Sequence, residues 1–368
     1  MYIHFGLERK FTCIVLVAIA CLTFSFIGCE DEVLLPPGTL ALSTEGPEGS
    51  QLLLMDIQTQ LQTKITNRPG NHTHPVFSPD GKKILYITEF SGQISLHQYS
   101  IADKTTSQLP LSPTSAATWG PDGKSIIFYC DKKICVANTK GEIKSEWSPG
   151  NYLKIIETNG PPGRSAKSGD LAFFAENSKG EVDIYVVDKN WENLRRVLYN
   201  RTSKYMPPYQ NVDQETLEKR LDARRLTGNE KFAVWAPKKN KLMMTSDYDH
   251  YKKISQDLIY KTRGKNEVNF TDIYVVDLTY AHLFSTYEGK KELREKKDWP
   301  QILTKISKDP IVEGPPSWSS DGLWAANTFT DETGKTLIKL TLLADPDTHH
   351  EIVLTNIEIK DGPIDWSN

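Results

Sequence analysis

Val76-Phe77-Ser78-Pro79-Asp80-Gly81-Lys82-Lys83-Ile84-Leu85-Tyr86-Ile87-Thr88, or VFSPDGKKILYIT, places two apolar runs on either side of a turn tetrad. Proline presets φ for the second turn position, aspartate accepts hydrogen bonds from nearby backbone amides, and glycine adopts the left-handed conformation that closes the turn. The unit reads as an antiparallel hairpin. Ile84 to Ile87 lack polar alternation, so both faces of that strand must be covered by other chain.

The cover comes from repetition. The same grammar recurs in WGPDGKSIIF from Trp119, where Asp122 follows Asp80 by 42 residues, and in WSSDGLWAA from Trp318. Asp80-Gly81, Asp122-Gly123 and Asp321-Gly322 are therefore turn residues of one repeating unit and serve a structural role. Weaker copies fit at Val234-Trp235-Ala236-Pro237 and at Ser168-Gly169-Asp170-Leu171, and DIYVVD follows two of the units, at Asp183 and at Asp272. A period of about 40 to 45 residues is that of a four-stranded propeller blade. At the C-terminus, Gly362-Pro363-Ile364-Asp365-Trp366-Ser367-Asn368 begins a unit that stops at its turn. Thr39 to Thr44 and Gln51 to Asp56 have the character of its missing strands. Closure by such a composite blade removes the exposed sheet edge between first and last blades.

The expected fold is thus all-β: a six-bladed β-propeller of four-stranded antiparallel blades, closed by a composite N-/C-terminal blade, with a short helical insertion. The blades fall at roughly 72–110, 114–149, 152–199, 230–306, 313–357, and 361–368 joined to 38–67, by the blade period. The 83 residues from Trp235 to Trp318 leave room for a degenerate seventh blade, although insertions account for the excess.

The series FSPDGKKILYIT, WGPDGKSIIFYC and WSSDGLWAANTF, with its two DIYVVD strands, resembles the TolB-type (WD-repeat-like) six-bladed β-propeller family over nearly all of the mature chain. The resemblance implies the fold. For function it implies a choice among adaptor, binding platform and enzyme scaffold.

Residues 1–28 read as an export signal. Arg9-Lys10 precede a nearly unbroken apolar run from Phe11 to Ile27, and Gly28-Cys29 follows in the manner of a bacterial lipobox. Lipidation at Cys29 is the expectation, with an uncleaved signal anchor as the alternative. The protein is then lipid-anchored to a bacterial membrane, on its periplasmic or cell-surface face, and residues 29–37, stiffened by Pro36-Pro37, tether the propeller of residues 38–368. Loss of Glu8, Arg9 and Lys10 moves the formal net charge from −3 to −4. That balance excludes a basic nucleic-acid binder.

Of five cysteines, Cys130 and Cys135 remain in the propeller, flanking the connection Asp131-Lys132-Lys133-Ile134. Seated opposite each other on paired strands in an oxidising compartment, they are expected to bridge; two free, packed thiols are the alternative.

Function is sought in what breaks the repeat. Insertions at 199–229 and 246–270 should rise side by side from the rim opposite the Asp-Gly turns, the first carrying a helical stretch around Leu217 and Leu221. They present Tyr205, Tyr209, Tyr248, Tyr251, Tyr260 and Arg263, residue types that give contact area and bidentate contacts at low entropic cost, or that simply pack the loops. The expected role is non-catalytic binding of an envelope protein, peptide or glycan. The alternative is a metal-assisted lyase or lactonase acting in the central channel. His72 and His74 are its weak metal candidates, because a two-residue spacing on an extended strand puts both rings on one face. No Walker, Rossmann, HExxH or Gly-x-Ser-x-Gly pattern occurs. No cofactor is expected.

Overall fold

A computed structural model describes residues 34–178, 180, 182–197, 230–246, 272–278, 303–307, 312–331, 333–354, 358–359 and 362–367. Leu35 onward forms one compact unit. Among the described residues the unit holds six antiparallel sheets, each one blade.

Blade 1 shows the plan. Its inner strand Asn71–Phe77 leads through Ser78-Pro79-Asp80-Gly81 into Lys83–Phe90, then Gln93–Ser100 and outermost Thr105–Gln108. The turn forms as its residue types dictate. Ser78 N–H donates to the Lys83 carbonyl, Gly81 stands at φ 68°, and Asp80 accepts from the Ser78 hydroxyl at 2.6 Å. Asp122 does the same work in blade 2, accepting from the Lys124 and Ser125 amides at 2.9 and 2.8 Å. The Ser78 hydroxyl and the Lys82 amide hold the Asp80 carboxyl below its ordinary value. Burial opposes the same shift at Asp122, where the Ser125 and Lys124 amides prevail.

The ring closes as the termini foretell. Asp365–Ser367 supplies the inner strand of blade 6, pairing with Thr39–Thr44, which pairs with Gln51–Asp56 and then Gln62–Lys64. Ile57 N–H donates to the Gly38 carbonyl just as Ile101 N–H donates to Lys82 and Leu343 N–H to Leu323. Gly38 therefore stands where the other blades have their Asp-Gly turn, and the chain enters the propeller at that rim.

Burial is greatest in the second and third strands, whose runs such as Ile84–Tyr86 and Leu171–Ala175 are almost wholly excluded from solvent. Each face packs against the next blade; one cluster joins Leu40, Leu42 and Met55 of blade 6 to Trp324, Ile338 and Leu340 of blade 5. The inner strands are less regular. Pro161-Pro162 and Pro315-Pro316 interrupt those of blades 3 and 5, since proline offers no ladder donor. Bulges interrupt those of blades 1 and 4, at His74 (φ 55°) and Phe232 (φ 53°).

Cys130 and Cys135 are joined as a disulfide with Cα atoms 6.0 Å apart. Their placement differs from the sequence expectation. Asp131-Lys132 alone forms the turn, so Cys130 pairs with Lys133 and Cys135 with Phe128. The bridge is diagonal, not directly across.

Candidate functional site

The inner strands of all six blades line a cavity of about 580 Å³ on the propeller axis, running from His74 and Phe232 to Pro79, Pro121 and Pro237 at the turns. Nine of its lining residues are prolines, which gives rigid walls with few amide donors. Period-two alternation sorts the rest. Val76, Thr118, Gly163, Val234, Ser317 and Asp365 occupy one level, and each except Gly163 is followed in sequence by an aromatic residue that packs between blades.

The following residues are Phe77, Trp119, Arg164, Trp235, Trp318 and Trp366. Three of the indoles tie neighbouring blades. Trp119 Nε1 donates to the Val76 carbonyl at 3.2 Å, Trp235 to Gly163 at 2.9 Å and Trp318 to Val234 at 3.1 Å. Phe77 has no such donor, and Trp366 makes no such bond among the described residues.

Asp365 takes their place at both junctions of the closing blade. Its Oδ2 accepts from the Phe77 amide of blade 1 at 2.7 Å and its Oδ1 from the Ser317 hydroxyl of blade 5 at 2.8 Å. Burial pushes its carboxyl up to about 6, against the lowering effect of those two donors. It is the one carboxylate among the described residues lining the cavity. Both of its oxygens are committed to the fold, so the cavity acid acts as a structural tie.

Arg164, also on the wall, sits where the other blades have an aromatic ring. Its Nη1 donates to the Gly169 carbonyl at 3.1 Å, its guanidinium lies 5.2 Å from the Trp191 ring centre, and burial lowers its pKa. The repeat alignment holds the signal that would have found both residues, because Asp365 and Arg164 are the charged exceptions at their two levels.

The histidine pair does not form a site. The bulge after Thr73 breaks the two-residue alternation, so the expectation that both rings share a face is overturned. His72 is buried against blade 6, with Nδ1 2.9 Å from Thr88 Oγ1 and Nε2 3.0 Å from the Arg68 carbonyl, and its ring meets Tyr86 edge-on. His74 alone lines the cavity. Burial lowers the pKa of each.

The insertions and Cys29, Tyr205, Tyr209, Tyr248, Tyr251, Tyr260 and Arg263 lie outside the described residues. Their points of attachment are described. Ser246 pairs with both Glu230 and Asp272, so the chain leaves for 247–271, and returns from 198–229, at the rim away from the Asp-Gly turns. Ser246, the first residue of the expected 246–270 insertion, is instead a fully buried strand residue, so the described blade extends one residue into that range.

Among the described residues, sheets and cavity together define a closed six-bladed β-propeller. TolB from Acinetobacter baumannii superposes with a TM-score of 0.58 at 13% identity, over 90% of this chain and 67% of that one. A TolB candidate from Agrobacterium tumefaciens gives 0.49 at 13% identity, over 89% and 93% of the two chains. An oligogalacturonate lyase in complex with manganese gives 0.46 at 13%, over 86% and 74%. At such identities the likeness concerns the fold alone. No family model matches the sequence.

Proposed function

We propose that this chain is a membrane-anchored envelope lipoprotein whose propeller is a non-catalytic binding module for a protein, peptide or glycan, engaged from the insertion-bearing rim and along the axis. The observation that carries the reading is the axial cavity. It offers rigid, proline-rich walls, and its one described acid is spent on holding blades together. Concave, largely apolar sites of this size favour binding through shape and desolvation. The lyase or lactonase alternative has inner-strand side chains, His72 or His74 among them, converging on an ion in the channel; His74 lines the cavity, whereas His72 is turned into the blade 6 interface.

Affinity capture from envelope extracts tests the proposal, with the native chain, a chain in which a two-residue Asn-Gly turn replaces 247–271, and a chain carrying Val76→Trp and Thr118→Trp to fill the cavity. Partner recovery is expected to fall with either change. Equal recovery from all three would remove it. For the anchor, Cys29→Ser is expected to shift the protein from the membrane to the soluble fraction.

A further inference from the structure

We infer that the rim of Asp-Gly turns is the face this propeller lays against the bilayer, with its lysines directed at anionic phospholipid headgroups. The inference rests on lipidation at Cys29 as proposed above and adds to it an orientation and a contact surface.

The entry point of the chain carries the argument. Gly38 occupies the turn position of blade 6, and the Leu35 carbonyl still accepts from Gln58 Nε2, in the turn after Asp56 on the same rim. Six residue steps separate Leu35 from Cys29, a reach of at most about 21 Å. A strand of six to eight residues is itself about 20 to 26 Å tall. An anchor at Cys29 therefore seats beside the turn rim; even fully extended, its tether only matches the height of the blade and has no length left to carry the lipid past the opposite rim and into a bilayer.

The chemistry of the turn rim agrees. Lys82, Lys124, Lys167 and Lys238, from the first turns of blades 1 to 4, are exposed, and none is in an ion pair among the described residues. The acids beside them, Asp80, Asp122 and Asp321, are exposed but short, and each accepts hydrogen bonds within its own turn. Long lysine stems thus carry positive charge outward past the carboxylates. Leu61 and Leu323, 69% and 51% exposed, stand on the same rim in blades 6 and 5, close to the chain entry. Basic and apolar side chains beside a lipid anchor supply the second membrane signal that a lipidated protein uses.

The test uses the full-length lipidated chain in vesicles containing phosphatidylglycerol and a headgroup-linked acceptor dye. A donor is placed through Leu323→Cys or, on the opposite rim, through Phe90→Cys, two sites of similar exposure at 51% and 56%. Energy transfer is expected to be several-fold higher from Leu323→Cys. Equal transfer, or higher transfer from Phe90→Cys, overturns the orientation. Joint charge reversal by Lys82→Glu, Lys124→Glu and Lys238→Glu is expected to lower the Leu323→Cys transfer, and no change would remove the headgroup contact. Vesicle flotation separates the two layers of the idea: failure of the native chain to float defeats the anchor and the orientation with it, whereas floating with equal transfer defeats the orientation alone. A photo-crosslinker at Leu323 that captures protein instead of lipid in cells would also overturn it.

Discussion

Two kinds of inner-strand tie serve five of the six blade junctions in this ring. Between blades 1 and 2, 3 and 4, and 4 and 5, an indole N–H from one inner strand donates to a carbonyl of the preceding blade. On either side of the closing blade one carboxylate does that work, reaching Phe77 in one direction and Ser317 in the other. The first kind is neutral and repeated, so the loss of one leaves the others. The second is single, shared and titratable, which makes the seam the part of the ring most sensitive to one residue and to pH.

The largest effect is expected from Asp365→Ala. It leaves the Phe77 amide and the Ser317 hydroxyl without their acceptor, at a cost of about 3 kcal/mol in chemical denaturation. A loss under about 1 kcal/mol would mean that the seam is held chiefly by apolar packing. Gly38→Ala should cost about 2 kcal/mol at the same seam, because Gly38 has φ 137° and a Cβ there would collide with the Trp366 indole. The equivalent Lys82 of blade 1 carries a side chain without difficulty. Trp119→Phe should cost about 1 kcal/mol, the worth of a single neutral tie.

The pH dependence sharpens the contrast further. Asp365 is pushed up to about 6 in the folded chain, above its ordinary 3.8, so the folded state takes up the proton first. Its contribution to stability therefore rises as pH falls from above 6 towards the ordinary carboxylate range. Buried His72, lowered from 6.5 by desolvation, runs the other way and loses stability as pH falls below that value. Asp365→Asn removes the first effect and leaves the second. Its thermal midpoint should fall more steeply than that of the native chain between about pH 7 and about pH 5, whereas that of Trp119→Phe should run parallel to the native curve. The smallest effect belongs to the turns: Asp122→Ala should cost about 0.5 to 1 kcal/mol, with partner binding unchanged.

The sequence made the repeat legible because turn chemistry is local. Pro79, Asp80 and Gly81 specify their bend without help from the rest of the chain, and Trp366 announces an unfinished unit by matching Trp119 and Trp318. What escaped was set by register and by neighbours. The disulfide is diagonal because Asp131 and Lys132, both at positive φ, make a two-residue turn, a count that the C-x4-C spacing leaves open. His74 left the face of His72 because the inner strand bulges to pass the axis. Asp365 lay in plain view as the lone acid at a level otherwise filled by Val76, Thr118, Gly163, Val234 and Ser317. Its meaning required knowing that Phe77 lacks the indole donor its neighbours use. The tyrosines of the insertions belong to chain that the repeat does not constrain, so a blade pattern says where they attach and nothing about how they fold.

The central claim, that this propeller binds through the insertion-bearing rim and the axial cavity, is tested most directly by quantitative capture of one envelope partner by purified variants. Native protein and Asp122→Ala should retain the partner equally, and replacement of 247–271 by a two-residue Asn-Gly turn or the pair Val76→Trp and Thr118→Trp should abolish retention while the thermal transition persists. Retention by all four proteins would contradict the account.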